Sequence, residues 1–149
     1  MSRSFIIDTN HNVDITLKQL LEYLTELKIF NVTDLSIWHN GNVIDLELFN
    51  EISLLLNNAH TCFKINSSYI HIDYKCNGNS SENLWYIESR ALDGVDRTLF
   101  VAIACIISNL SNGLVSSGDG AWYNGDKKYQ GTELWKEYLD IEFNSNFSK

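Results

Sequence analysis

A run of nine apolar residues, Leu99 to Ile107, is the feature that most narrows the folds open to this chain. Acidic residues precede the run and Asn112-Gly113 follows it, so its length and its boundaries favour a helix from Val95 to Asn112 over a strand. A helix that is apolar on every side needs other elements around it. The sequence therefore predicts a domain in which this helix is buried on most of its faces.

The rest of the chain shows both helical and strand periodicity. Five leucines recur at helical spacing between residues 14 and 28, after a capping-box pair formed by Thr16 and Gln19. Further helices are predicted at 45–57 and at 131–138, the last with Thr132 as its cap. Strands are predicted at 5–7, 34–39, 61–66, 69–76, 84–90 and 114–117. The order β-α-β-α-β-β-β-α-β-α predicts a single α+β domain over residues 1–149, with a mostly antiparallel sheet packed by helices and a loose tail at 143–149.

The charge balance bears on the kind of partner. The 149 residues include 19 acids and 11 bases, a net charge of −8, and eight of the acids but only three bases fall in residues 1–60. Such an excess repels nucleic acid and anionic lipid and attracts basic partners, although the same charge also keeps a protein soluble. The first residues lack the apolar core of a signal peptide, and the three cysteines form no disulfide pattern. We expect a cytoplasmic protein that binds neither nucleic acid nor membrane.

Five of the eight glycines lie between Gly113 and Gly131, and three large aromatic residues lie among them. Glycine permits sharp turns and close approach of a partner, and exposed aromatic side chains are frequent contact residues. This glycine-rich segment, residues 113–131, is the predicted contact surface. The expected partner-binding residues are Asp119, Trp122, Tyr123, Asp126 and Tyr129, together with Asp45 and Glu47 from the acidic amino-terminal part.

Neither a catalytic nor a metal-binding pattern emerges from the sequence. His60, Cys62, His71 and Cys76 are the residues from which a metal site would be built, but the spacings of zinc sites are missing. Period-two alternation places His71 and Cys76 on opposite faces of the predicted strand 69–76. Cys105 lies inside the apolar helix, where a thiol packs rather than reacts. We expect no metal, no cofactor and no enzymatic activity.

The segment from Leu99 to Trp122 resembles the immunity proteins of bacterial toxin systems, including those of contact-dependent growth inhibition. The resemblance rests on the apolar helix, its Asn112-Gly113 stop, and the following strand and loop Leu114-Val-Ser-Ser-Gly-Asp-Gly-Ala-Trp122. It implies a cognate toxin domain as partner, commonly a nuclease, bound tightly and without turnover. The alternative is a small-ligand-binding or regulatory domain with a pocket beside the glycine-rich segment.

Overall fold

The computed structural model describes residues 2–9, 13–27, 36–39, 41–43, 60–65, 68–76, 83–90, 95–117 and 127–140. Ten helices and strands lie within these residues. In chain order they are β1 (Ser2–Thr9), α1 (Leu17–Glu26), β2 (Ser36–His39), β3 (Asn42–Val43), β4 (His60–Ile65), β5 (Ser68–Cys76), β6 (Asn83–Arg90), α2 (Val95–Ser111), β7 (Leu114–Ser117) and α3 (Gly131–Tyr138).

The seven strands form one sheet in the order β3-β2-β4-β5-β6-β1-β7, and every neighbouring pair is antiparallel. The α+β prediction with a mostly antiparallel sheet is therefore confirmed, as is the consecutive pairing of β4, β5 and β6. The first strand of the chain lies between the last two. Its residue Ile7 pairs with Trp85 on one side and with Val115 on the other, and all three are buried.

Three details differ from the prediction or lie beyond the described residues. The two-residue strand β3 was not predicted, because two residues are too few to show a period; it follows a turn at Gly41, whose φ of 83° suits glycine. The residue that caps α3 is Gln130, whose backbone N–H donates to Glu133 Oε1 at 3.1 Å, and Thr132 lies inside the first turn. The predicted helix 45–57 and tail 143–149 lie outside the described residues.

Helix α1 begins with the predicted capping box. The Thr16 hydroxyl accepts from the backbone N–H of Gln19 at 3.1 Å, and Gln19 Oε1 accepts from the backbone N–H of Thr16 at 2.9 Å. Two otherwise unpaired N–H groups are thereby satisfied. The apolar stripe is buried through its first four leucines, which are Leu17, Leu20, Leu21 and Leu24, and Leu27 packs against the core.

Helix α2 is the central element, and its burial confirms the interpretation of the apolar run. Residues 98–108 are all buried, because β6, β1 and β7 contact the helix on one side and α1 and α3 pack against it on others. Asn112 ends the helix with a φ of 56°, and the Gly113 N–H donates back to the Ser108 carbonyl at 3.1 Å. A Cβ at Gly113 would lie 2.7–2.9 Å from atoms of β1, so this position has no room for a side chain.

The two faces of the sheet differ in composition. The face that carries Phe5, whose ring stacks on Phe100 of α2 at 4.8 Å, is lined by buried side chains of six strands. The other face, here called the second face, carries His60, Cys62, Tyr69, His71, Asp73, Lys75, Tyr86 and Glu88. Apart from Cys62, these side chains are partly or fully exposed. None of the described helices has both the length and the apolar character needed to cross a membrane.

Candidate functional site

Most of the residues predicted to contact a partner lie outside the described part of the chain. These are Asp45, Glu47, Asp119, Trp122, Tyr123 and Asp126. Their role stays a prediction. Tyr129 is the predicted contact residue whose surroundings the structure shows.

The structure buries Tyr129, with 4% of its surface exposed. Its backbone forms an antiparallel bridge with Val115, in which the two N–H···O distances are 2.7 and 2.8 Å. The Lys127 ammonium lies over its ring, 4.6 Å from the centroid. Burial, followed by the nearby Glu137 and Glu133 carboxylates, raises the pKa of Tyr129 to about 12. Its ring therefore joins the core, and Tyr129 does not present the exposed aromatic contact that the sequence suggested.

A groove of about 160 Å³ opens between the three helices on the side of α2 away from the sheet. Ala102, Cys105, Ile106 and Asn109 form its floor, since they recur at helical spacing along one stripe of α2. Its walls are Tyr23, Glu26 and Leu27 from α1 and Thr132 and Trp135 from α3. These nine residues define the helical groove.

Two aromatic side chains at the walls give the helical groove its shape. Tyr23 is 46% exposed, which is high for a large hydrophobic side chain. Trp135 is partly buried and stacks on Tyr138, with ring centroids 5.6 Å apart. The Tyr138 hydroxyl is hydrogen bonded to Thr98 Oγ1 of α2 at 2.5 Å, which fixes the wall of α3 to the central helix. The groove thus presents one anchored ring, Trp135, and one exposed ring, Tyr23, over a floor that is apolar except for Asn109.

Carboxylates outnumber ammonium groups on the two helices beside the groove. Together α1 and α3 carry four glutamates, at 22, 26, 133 and 137, and two lysines, at 18 and 136. Glu26 lies in the wall itself, next to Tyr23. A partner that places an apolar side chain in the groove and a basic one beside Glu26 would meet complementary chemistry.

The first turn of α3 packs closely on α2 beside the floor of the groove. A Cβ at Gly131 would collide with the Cys105 carbonyl oxygen and would lie 2.5 Å from Asn109 Oδ1. Glycine at this position therefore allows the first turn of α3 to approach α2. This packing role accounts for Gly131, just as the approach to β1 accounts for Gly113.

The second face brings together three polar side chains from β4 and β5. The His60 Nδ1–H donates to Asp73 Oδ1 at 2.7 Å, and the His71 Nδ1 lies 3.2 Å from His60 Nε2. The two imidazole rings have centroids 5.1 Å apart and planes inclined by 29°. Sequence reasoning missed this grouping, because it depends on the register in which His60 pairs with Asp73 and Cys62 pairs with His71.

Cys62 and Cys105 do not form a reactive site. Cys62 and Cys105 are buried free thiols, and burial raises the pKa of both. A raised pKa keeps each thiol protonated and weakly nucleophilic at neutral pH. In the register of β5, which pairs Cys76 with Asn83, positions 71 and 76 alternate to opposite faces of the strand, as the sequence predicted. Across the described residues, no group of three or more His, Cys, Asp and Glu side chains is arranged to hold a metal ion.

Comparisons with protein-family models, with curated proteins and with solved structures find no match to this chain.

Proposed function

We propose that this chain is a non-catalytic, cytoplasmic immunity protein that binds and neutralises a cognate toxin domain, a basic nuclease in the simplest case. The observation that carries the proposal is the helical groove, which places Tyr23, Trp135 and Glu26 together on a protein of net charge −8. Its proposed occupant is a segment of the toxin domain with an apolar side chain next to a lysine or arginine.

The groove supplies the apolar part of the proposed contact with the toxin domain. A leucine- or phenylalanine-sized side chain that leaves water for the floor of Ala102, Cys105 and Ile106 gains about 1.5–3 kcal/mol. Tyr23 and Trp135 add aromatic rings from the two walls, and tyrosine and tryptophan carry much of the binding energy in protein interfaces. The contacts around these two aromatic side chains then exclude water from the interface.

The charge supplies the polar part. Glu26 pairs with the basic residue of the toxin domain, and the excess of acids attracts a basic surface from a distance. Carboxylates that occupy the place of nucleic-acid phosphates would block a nuclease without any reaction. Asp119, Asp126, Asp45 and Glu47 remain candidates for the same role, with Trp122 and Tyr123 as additional aromatic anchors.

A small ligand fits the helical groove less well than a protein side chain does. The alternative pocket beside the glycine-rich segment borders residues outside the described part of the chain and stays a prediction. Ligand pockets commonly have volumes of roughly 300–1,000 Å³. The helical groove measures about 160 Å³ and is open to one side. It accommodates one or two side chains of a protein partner better than a whole cofactor-sized molecule.

Co-expression with the product of the neighbouring gene tests the proposal. We expect the two proteins to copurify and the chain to protect cells from the toxin. Tyr23→Ala and Trp135→Ala should each weaken binding about tenfold or more, since loss of a buried aromatic anchor costs above 1 kcal/mol. Tyr69→Ala is a matched control, because Tyr69 is also 46% exposed but lies on the second face. A failure to copurify would contradict the proposal, and a larger effect of Tyr69→Ala would move the binding surface to the second face.

A further inference from the structure

The nitrogen atoms of two histidines on the second face stand at the spacing of two ligands of one metal ion. His60 comes from β4 and His71 from β5, and His60 Nε2 lies 3.2 Å from His71 Nδ1. Two nitrogens bound to a tetrahedral zinc ion at 2.0–2.1 Å are about 3.3–3.4 Å apart. The two side chains would have to rotate to direct both lone pairs at one ion, because in the structure the two nitrogens face each other at hydrogen-bond distance.

Asp73 provides the outer contact that metal-bound histidines usually have. Its carboxylate accepts from His60 Nδ1–H at 2.7 Å. This bond fixes the tautomer in which His60 Nε2 carries the lone pair, and it makes that nitrogen a stronger ligand. A carboxylate that accepts from one ring nitrogen of a histidine whose other nitrogen binds the metal is the arrangement on which zinc-binding histidines depend; here that other nitrogen, His60 Nε2, contacts His71 Nδ1.

The site is accessible from solvent. The side chains of His60 and Asp73 are 42% and 38% exposed. An ion can therefore reach the two nitrogens, and water molecules can occupy its other coordination positions. Cys62 is a poor third ligand, because it is buried and burial raises the pKa of its thiol.

We propose that His60 and His71, supported by Asp73, form an exchangeable binding site for a divalent ion of the zinc class. Imidazole nitrogen suits Zn²⁺, Ni²⁺ and Cu²⁺ and discriminates against Mg²⁺ and Ca²⁺, which prefer oxygen. The ion replaces the proton that lies between the two rings on His71 Nδ1. That proton moves to His71 Nε2, so His71 stays neutral. Two protein ligands leave the remaining positions to water or to a donor from a bound partner.

This site departs from the expectation of no metal drawn from the sequence. That expectation rested on the missing zinc spacings and on His71 and Cys76, whose positions alternate to opposite faces of β5. The pair that matters is His60 with His71, which the β4–β5 register brings to one face. The proposal is independent of the proposed function, because the second face and the helical groove lie on different sides of the molecule.

Titration of the metal-free chain of 149 residues with Zn²⁺ tests the site, with calorimetry for affinity and histidine-ring NMR for location. We expect one ion per chain, and ring signals of His60 and His71 that shift while that of His39 does not. His39 is an internal control, because it is buried on the helix-packed face and bonded to Thr61 Oγ1. Mg²⁺ at the same concentration should leave all histidine signals unchanged.

Variants distinguish the contributions of the two histidine ligands from that of the supporting Asp73 carboxylate. His60→Ala and His71→Ala should each weaken Zn²⁺ binding at least tenfold, and Asp73→Asn should weaken it about 10–100-fold. Asp8→Asn is the control for Asp73→Asn, since Asp8 is an exposed carboxylate elsewhere in the sheet, and it should bind as the wild type does. Circular dichroism should show that each variant is folded. Absence of Zn²⁺ binding, or binding that survives His60→Ala and His71→Ala together, would overturn the proposal.

Discussion

The phenol of Tyr129 lies in surroundings that disfavour its ionised form. Its ring is buried against the bridge to Val115, and the Glu137 and Glu133 carboxylates add repulsion to the cost of burial. The pKa rises to about 12 in the folded protein, compared with about 10 for an unfolded chain. The folded state therefore binds the phenolic proton more tightly than the unfolded state does.

This difference predicts a loss of stability at high pH. The contribution of Tyr129 is fully present below pH 10 and is lost as the pH rises from about 10 to about 12, at no more than about 1.4 kcal/mol per pH unit. Urea unfolding over this range should show a steeper decline for the wild type than for Tyr129→Phe, which has no proton to lose. Parallel slopes for the two proteins would show that the phenol is not buried in solution.

Single residues were the hardest feature to predict from the sequence. Gly113, Tyr129 and Gly131 belong to the predicted contact surface, because glycine permits close approach and aromatic residues are frequent contacts, and Gly113 is also the predicted helix stop. The structure uses all three in packing: Gly113 against β1, Gly131 against α2, and Tyr129 against β7. Composition alone does not distinguish a glycine that lets a ligand approach the backbone from one that lets two helices or strands pack closely.

At the scale of elements, the contact between α3 and α2 depends on Gly131. The added methyl group of Gly131→Ala would collide with the Cys105 carbonyl, which is part of the backbone of the buried helix α2. We expect a loss of about 1–3 kcal/mol in the free energy of unfolding, as for other overpacked positions. Urea denaturation of the wild type and of Gly131→Ala measures this loss in the free energy of unfolding.

Thr132→Ala is the matched control for this prediction. Thr132 is the next residue in α3 and is exposed, and alanine is the better helix former. Its substitution should change the free energy of unfolding by no more than about 0.5 kcal/mol. Equal effects of the two substitutions would mean that α3 does not pack as closely on α2 as the structure shows.

Elements with a strong local pattern were predicted well, and relations between elements were not. The leucine stripe and capping box located α1, and the apolar run with its Asn112-Gly113 stop located α2. The helical groove needs α1, α2 and α3 in one place, and the histidine pair needs one register of β4 on β5. Neither arrangement leaves a signal within a window of ten or twenty residues.

At the scale of the whole molecule, the net charge of −8 acts on the rate of encounter with a partner. If the partner is basic, its association rate should fall steeply as ionic strength rises, because the Debye length shortens to about 8 Å at physiological salt. The dissociation rate should change much less, since it depends on desolvated contacts in the interface. In the helical groove, substitution of a charged residue should therefore change mainly the association rate, and substitution of an aromatic residue should change mainly the dissociation rate.

Binding kinetics of the copurified toxin domain, measured over a series of salt concentrations, check this expectation. Glu26→Lys should lower the association rate several-fold and flatten its salt dependence, whereas Glu88→Lys, the same change on the second face, should have a smaller effect. Trp135→Ala should instead raise the dissociation rate about tenfold and leave the salt dependence nearly unchanged.

Binding of the toxin domain to the glycine-rich segment in place of the helical groove would give different results. If Asp119→Lys or Asp126→Lys slows association and Trp122→Ala speeds dissociation, while the groove variants bind normally, the toxin domain contacts residues 113–131 and the groove is not its site. Effects confined to Asp45→Lys and Glu47→Lys would move the contact to the acidic amino-terminal part. An association rate indifferent to salt in every one of these proteins would contradict recognition of a basic surface by acidic side chains, since attraction between exposed charges is always weakened by dissolved ions.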